Sequence, residues 1–204
     1  MKNEKYVQPF ESYLFEAIKR NTNRGKTRVN IVTGRFQPFH TGHLKIAEDL
    51  YKENGLPVVL VKVRKKNENT VTKAGKGTAF PYALTDKMLD DVVKSYPYIK
   101  DHIEIEYVAF DSQLFPALRP KYEPVLFGAG PDRVKGYDNQ RLSFIEKHDN
   151  ALNFDPDFAI EETKRYGSAT AVRNAIEEGD EKTFKKLMPK PLHKYFNELK
   201  NTKK

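Results

Sequence analysis

Residues 34–44 read GRFQPFHTGHL and follow directly on the β-branched residues Val29, Ile31 and Val32; this junction constrains the fold more than any other stretch. Branched side chains favour a strand, Gly34 lets the chain turn without a Cβ clash, and Pro38 keeps the loop extended. A helical pattern follows in Leu44, Ile46, Ala47, Leu50 and Tyr51, starting near Thr41 or Gly42 and stopping near Asn54 and Gly55. A helix that begins just beyond the end of a strand turns free backbone N–H groups and the positive end of its dipole towards that point, which suits an anion. His40 and His43 flank Gly42, whose missing side chain lets a phosphate approach the main chain with an imidazole on either side, and Arg35 adds a cation. A lone His-x-x-His is common in proteins. The order of strand, glycine-led loop and helix start is what gives this one chemical meaning.

A second element of the same kind lies near the other end. In KRYGSATAVRNAI, residues 164–176, Gly167 and Ser168 precede a helix whose apolar side includes Ala171, Val172, Ala175 and Ile176. Ser168 is the expected N-cap; Thr170 falls in the first turn, where its hydroxyl can meet phosphate, and Arg173 lies one turn on. Between the two elements, Pro57 opens VVLVKV, residues 58–63, an apolar run suited to a sheet covered on both faces, so strand, helix and strand form a βαβ unit. Residues 64–79 hold Lys65, Lys66, Lys73 and Lys76 with no apolar period, a loop that either folds over a triphosphate or stays solvated. A helix is expected from Pro81 to Thr85 onward. Ile103, Ile105, Tyr107 and Ala109 alternate as a half-buried strand, and VLFG at 125–128 reads as another. The glycine-rich turn after it offers Gly128, Gly130, Asp132 and Arg133 as a further ligand loop.

At 204 residues the chain fits one α/β domain with terminal additions. Phe10, Tyr13, Leu14, Ala17 and Ile18 predict a helix over 9–20, so residues 1–27 read as helix and linker, 28–179 as the catalytic domain, and 180–204 as short helices broken at Pro189 and Pro191 and packed on it. There is no cysteine, which excludes disulfides and thiolate metal sites and makes a reducing cytoplasm the expected setting. No run approaches the roughly 18 apolar residues of a membrane span. The net charge of +8 suits nucleic acid or a small polyanion such as a nucleoside triphosphate; scattered basic residues and the lack of an RNA-binding motif argue against nucleic acid.

GRFQPFHTGHL resembles the signature of the HxGH nucleotidyltransferase superfamily, in the form most similar to the nicotinamide mononucleotide adenylyltransferases. KRYGSATAVR resembles the superfamily's second motif, Ile-Ser-Gly/Ser-Thr-x-Ile-Arg, with Ser168, Thr170 and Arg173 in the matching places and Gly167 where Ile is usual. The resemblance spans about residues 29–178. It implies a Rossmann-like, doubly wound parallel α/β sheet with terminal helices and ligands at the carboxyl ends of the strands. It implies transfer of the adenylyl group of ATP to nicotinamide mononucleotide, giving NAD and pyrophosphate. His40 and His43 would act on the triphosphate and the transition state, and Arg173 on the β/γ end. Gly34, Arg35, Phe36, Gly42, Gly128, Gly130, Asp132, Arg133, Ser168 and Thr170 are expected around the nucleotide. Mg²⁺ would enter with the nucleotide, held by phosphates and water, with no protein ligand. The Gly128–Arg133 loop departs from the Gly-Asn-Pro wording of the nicotinamide enzymes, and Phe80 stands where an Asn-Pro-aromatic segment has Asn. Two alternatives therefore stay open: a cytidylyltransferase acting on a small phosphorylated alcohol or sugar, and a non-catalytic nucleotide- or nucleic-acid-binding protein.

Overall fold

The structure is a computed structural model that describes residues 26–64, 79–118, 120–148, 158–164 and 166–202. The helix expected over 9–20 and nearly all of the lysine-rich segment lie outside the described residues.

Five strands, β1 (Thr27–Gly34), β2 (Val58–Val63), β3 (Ile99–Ile105), β4 (Tyr122–Ala129) and β5 (Ala159–Glu162), form a parallel sheet in the order β3-β2-β1-β4-β5. Helices α1 (Thr41–Asn54) and α2 (Tyr82–Ser95) connect β1 to β2 and precede β3. A π turn at Phe110–Leu114 runs into α3 (Phe115–Leu118), and α4 (Val134–His148) follows β4. After β5 come α5 (Ala169–Glu178), α6 (Glu181–Leu187), a 3₁₀ turn at Lys190–Tyr195 and α7 (Phe196–Asn201). This is the doubly wound Rossmann-like architecture.

The alternation of the strands supplies two cores. Val32, Val58 and Leu60 face Ala47 and Leu50 of α1 and Met88 of α2, while Val29, Ile31, Val59 and Val61 face Phe110, Phe115 and Phe158. Residues on both sides of β2 are thus buried, which is why its sequence is nearly all apolar. The exception, Lys62, is fully buried, and its ammonium donates to the Thr85 hydroxyl at 2.8 Å and pairs with Asp86, pinning the start of α2 to the sheet. The C-terminal segment belongs to the first core through Phe184, Leu192 and Leu199. The Thr41 hydroxyl also donates to the Leu187 carbonyl at 2.9 Å, so α6 ends against the first turn of α1.

Two elements differ from the sequence expectation, and a third, the break at the C-terminal prolines, follows it. β3 runs four residues earlier than the alternation at 103–109 predicts: its neighbour β2 ends at Val63, opposite Ile105, so Tyr107 and Ala109 have no strand to pair with and turn away. GAGPDRVKGYD is a loop only as far as Arg133; α4 follows at once, and its largely polar surface conceals a helix that leans on the core through Val134 and Tyr137. The region after Pro189 is a 3₁₀ turn running into α7, because Pro191 at the turn's second residue leaves no room for a continuous helix with α6.

Asn30 shows how α1 is fixed on the sheet. It is fully buried in β1, and its side-chain amide donates to the Leu50 carbonyl at 2.9 Å and to the Asn54 side-chain oxygen at 2.8 Å, while its own oxygen accepts from Asn54 at 3.0 Å. Asn30→Ala should cost about 2–3 kcal/mol of stability, since it leaves Leu50 and Asn54 groups unpaired below the helix end. Urea unfolding measures this; a loss below about 0.5 kcal/mol, the ordinary scale of a surface change, would show that α1 does not rely on the bond.

Candidate active site

The loop from β1 to α1 is shaped by aromatic packing. Phe36, at a φ of 49°, folds its ring under Gly34, where a Cβ would lie 2.8 Å from that ring. Gly34 is therefore required by close approach and not by its own dihedrals. Phe36 is buried, meets Phe39 at 5.4 Å and sets its edge on the His43 ring at 5.0 Å. It lines neither cavity described below, and its ring supports the His43 ring.

α1 starts at Thr41 with His40 as N-cap. The His40 Nδ1 accepts from the Gly42 N–H at 3.0 Å, and the His43 Nδ1 accepts from the His40 N–H at 3.3 Å, a reciprocal cap built from two imidazoles in place of the usual hydroxyl and carboxylate. The rings stack at 3.9 Å. They therefore stand on one side of the turn, whereas the spacing suggests one on either side of Gly42. The Gly42 N–H is also already occupied and is not free for a ligand. With each Nδ1 accepting, the proton of a neutral ring sits on Nε2. Both rings are held neutral: burial, then the nearby Arg173 charge, lowers His40 to about 4, and burial, then His40, lowers His43 well below 6.5.

The second element meets the first backbone to backbone. Gly167 lies so near that a Cβ on Gly42 would come within 2.9 Å of its nitrogen and within 2.7 Å of the His40 ring. Ser168 caps α5 by accepting from the Thr170 N–H at 3.2 Å. Arg173 donates to the Gln37 carbonyl at 3.0 Å and to the Thr170 hydroxyl at 2.9 Å. It lines neither cavity and spans the two loops as a brace.

Two cavities open above the carboxyl ends of the strands. The first, about 370 Å³, is walled by His40, Gly42, His43, Asp132 and the segment from Gly167 to Thr170. The other, about 480 Å³, is walled by Gly34, Arg35, Gly128, Arg133, Glu106 and Tyr107 among others. Thr33, Ile46, Gly130 and Thr163 belong to both, so the two are halves of one cleft. That junction lies over β1 and β4, where the strand order reverses and where open α/β sheets take ligands.

The candidate residues thus divide. His40, Gly42, His43, Asp132, Ser168 and Thr170 fall in the smaller cavity; Gly34, Arg35, Gly128 and Arg133 fall in the larger; Gly130 falls in both. Gly128 also sits where a Cβ would lie 2.9 Å from Leu50, so it keeps α1 close to the sheet. Thr33 and Thr163, together with Glu106, Tyr107, Tyr137 and Tyr166, are wall residues that sequence reasoning passed over. Their only signal is position at or beyond the carboxyl end of a strand, which becomes informative once the strand order is known.

A family model for cytidylyltransferase-like proteins matches residues 31–175. Among solved structures, the chain is similar to a Plasmodium falciparum nicotinic acid mononucleotide adenylyltransferase complexed with NaAD, at 15% identity and a TM-score of 0.54, covering 86% of this chain and 98% of that one. It is similar to a Vibrio parahaemolyticus protein named as a nicotinate-nucleotide adenylyltransferase, at 16% identity and a TM-score of 0.53, covering 84% and 99%. It is also similar to Thermotoga maritima TmcAL bound with alpha-thio ATP, at 14% identity and a TM-score of 0.53, covering 86% and 56%. No curated protein matches it by sequence. At these identities the structural likenesses establish the fold.

The capping histidine carries a pH signature. An unfolded imidazole takes up its proton near 6.5, whereas folded His40 stays neutral down to about 4, so between those values the unfolded chain binds more protons. Stability should therefore fall as pH drops from about 6.5 towards 4. His40→Asn preserves a capping oxygen and removes the titration, so its melting temperature should depend less on pH across that window. Parallel slopes for parent and variant would place the acid sensitivity elsewhere.

Proposed function

The chain belongs to the cytidylyltransferase-like family, and we propose that it moves the adenylyl group of ATP onto the phosphate of nicotinamide mononucleotide. The products are NAD and pyrophosphate. The observation that carries this reading is the divided cleft: a histidine-lined half and an arginine-bearing half that meet over the switch point of the sheet.

The triphosphate belongs in the smaller half. There the Nε2–H groups of His40 and His43 donate to phosphate oxygens, and a polyanion beside them favours the protonated rings, so positive charge develops where negative charge arrives. The first turn of α5 offers its backbone N–H groups from the opposite wall. The acceptor lies in the larger half with its phosphate at the junction. One of its oxygens attacks the α-phosphorus; the new P–O bond forms as the bond to the bridging oxygen breaks, and the electron pair leaves with pyrophosphate. The attacking oxygen is already anionic, so no general base is needed, and the chain's contribution is positioning and charge stabilisation.

Among the described residues no group of three or more His, Asp or Glu side chains could hold a metal ion. Mg²⁺ would enter with the nucleotide phosphates and would supply charge neutralisation to the leaving pyrophosphate. Arg173 holds the histidine loop against α5 and so sets the width of the triphosphate half.

The family description favours a second reading in which CTP is the donor and a small phosphorylated alcohol the acceptor. Pyrophosphate release decides between them: with Mg²⁺, the first reading requires release only when ATP and nicotinamide mononucleotide are both present, with NAD formed. Release confined to CTP and a phosphoalcohol would replace it. His43→Ala should keep the fold and lower kcat about 10²- to 10³-fold, the usual cost of losing one donor to the developing charge. Turnover near that of the parent would remove the histidine from the mechanism.

A further inference from the structure

The larger half of the cleft has a polarity along its length. The strand order places β4 and β1 beside the junction with the histidine half, and β2 and then β3 progressively further from it. Arg133 follows β4 and Arg35 follows β1, the two strands beside that junction, and both line the larger half. Arg35 is exposed, with no ion pair among the described residues, and Arg133 meets its exposed neighbour Asp132 at 3.7 Å. Glu106 and Tyr107 follow β3 and wall the far end.

Glu106 is the anomaly. It is the one carboxylate among the described residues of a wall whose other charged residues, Arg35 and Arg133, are cations, and its side chain has no hydrogen bond or ion pair among the described residues. Its backbone N–H is held by the Gln113 side chain at 3.4 Å, which fixes the chain direction as it leaves β3. Tyr107 beside it is 53% exposed, so its ring face is open to a ligand in the cavity.

We infer that Glu106 selects the acceptor by charge, admitting a mononucleotide whose ring end is a net cation and rejecting the same nucleotide when a carboxylate on that ring cancels the charge. The inference rests on the proposed adenylyl transfer. An acceptor whose phosphate meets the α-phosphorus at the junction and whose body lies in the larger half, past Arg35 and Arg133, extends its base towards the β3 end. A ribosylated pyridine is a ring cation; it is attracted by the Glu106 carboxylate and by the face of an exposed tyrosine. Nicotinamide and nicotinic acid mononucleotides differ there by one negative charge, which a fixed carboxylate opposes. The two solved neighbours described above are named for the acid nucleotide.

The test is the ratio of kcat/KM for the amide and acid mononucleotides, each with ATP and Mg²⁺, in the parent and in Glu106→Gln. The parent should prefer the amide, and the variant should move the ratio about tenfold towards the acid, the scale of one like-charge contact across partly solvated protein. A ratio within one preparation does not depend on how much of it is folded. If the variant does not fold, the parent alone decides: discrimination by charge must shrink as ionic strength rises. A parent that prefers the acid, a variant with an unchanged ratio, or a salt-independent preference overturns the inference and leaves adenylyl transfer standing. A parent that uses neither acceptor overturns the transfer reading, and this inference with it.

Discussion

The contact on which the site depends is the meeting of the His40 ring with the backbones of Gly42 and Gly167. The ring nitrogen takes the Gly42 N–H at 3.0 Å, and a Cβ on Gly167 would lie 3.2 Å from that same nitrogen. Two segments more than a hundred residues apart thus meet backbone to backbone beside the His40 imidazole. Both segments cap helices, so this one contact sets α1 and α5 with their N-termini towards a common space. Arg173 adds a second tie from α5 to the carbonyl of Gln37, and Gln37 in turn accepts from the Phe80 N–H at 2.9 Å, extending the brace to the approach of α2.

This arrangement has an electrostatic cost that suits its chemistry. Two stacked imidazoles, packed by Phe36 and Phe39 and facing an arginine, are kept neutral while the cleft is free of anions. They then present Nε2–H donors with little rearrangement, because each Nδ1 is already committed to the backbone. Preorganised donors of this kind are worth most when a charge develops against them, since no solvent has to reorient. The same rings hold the helix cap, so structural and chemical roles fall on one pair of side chains. Acid that protonates them without a phosphate present works against both.

The cleft's two halves follow from the sheet. With β1 and β4 adjacent, their following loops diverge to opposite sides and leave a crevice above the strand ends. Thr33 and Thr163, which close β1 and follow β5, form its floor, and Thr163 is held there by the Ala129 carbonyl, which accepts from its N–H at 2.8 Å and from its hydroxyl at 3.1 Å. The floor is therefore rigid where the two ligands must be brought into line.

Local chemistry is what the sequence determined. The β-branched run before Gly34, the stop at Gly55 with its φ of 73°, the covered strand 58–63 and the Ser168 cap are all short-range effects, and each stands where the residues placed it. The two motifs likewise announced a phosphate-handling fold, because glycine, histidine and a capped helix start lie within a few residues of one another. What only the tertiary structure decided is everything that depends on neighbours distant in the chain. β3 stops at Ile105 because β2 stops beside it, Phe36 turns inward because Gly34 leaves room for its ring, and Arg173 becomes a brace because the Gln37 carbonyl lies within reach. α4 was hidden because its surface carries little apolar period, and Glu106 became visible as a wall residue only when strand order set it at the far end of the cleft. A pattern within one segment reports its own backbone; which loops share a cavity is settled by how the strands pair, and no single segment contains that information.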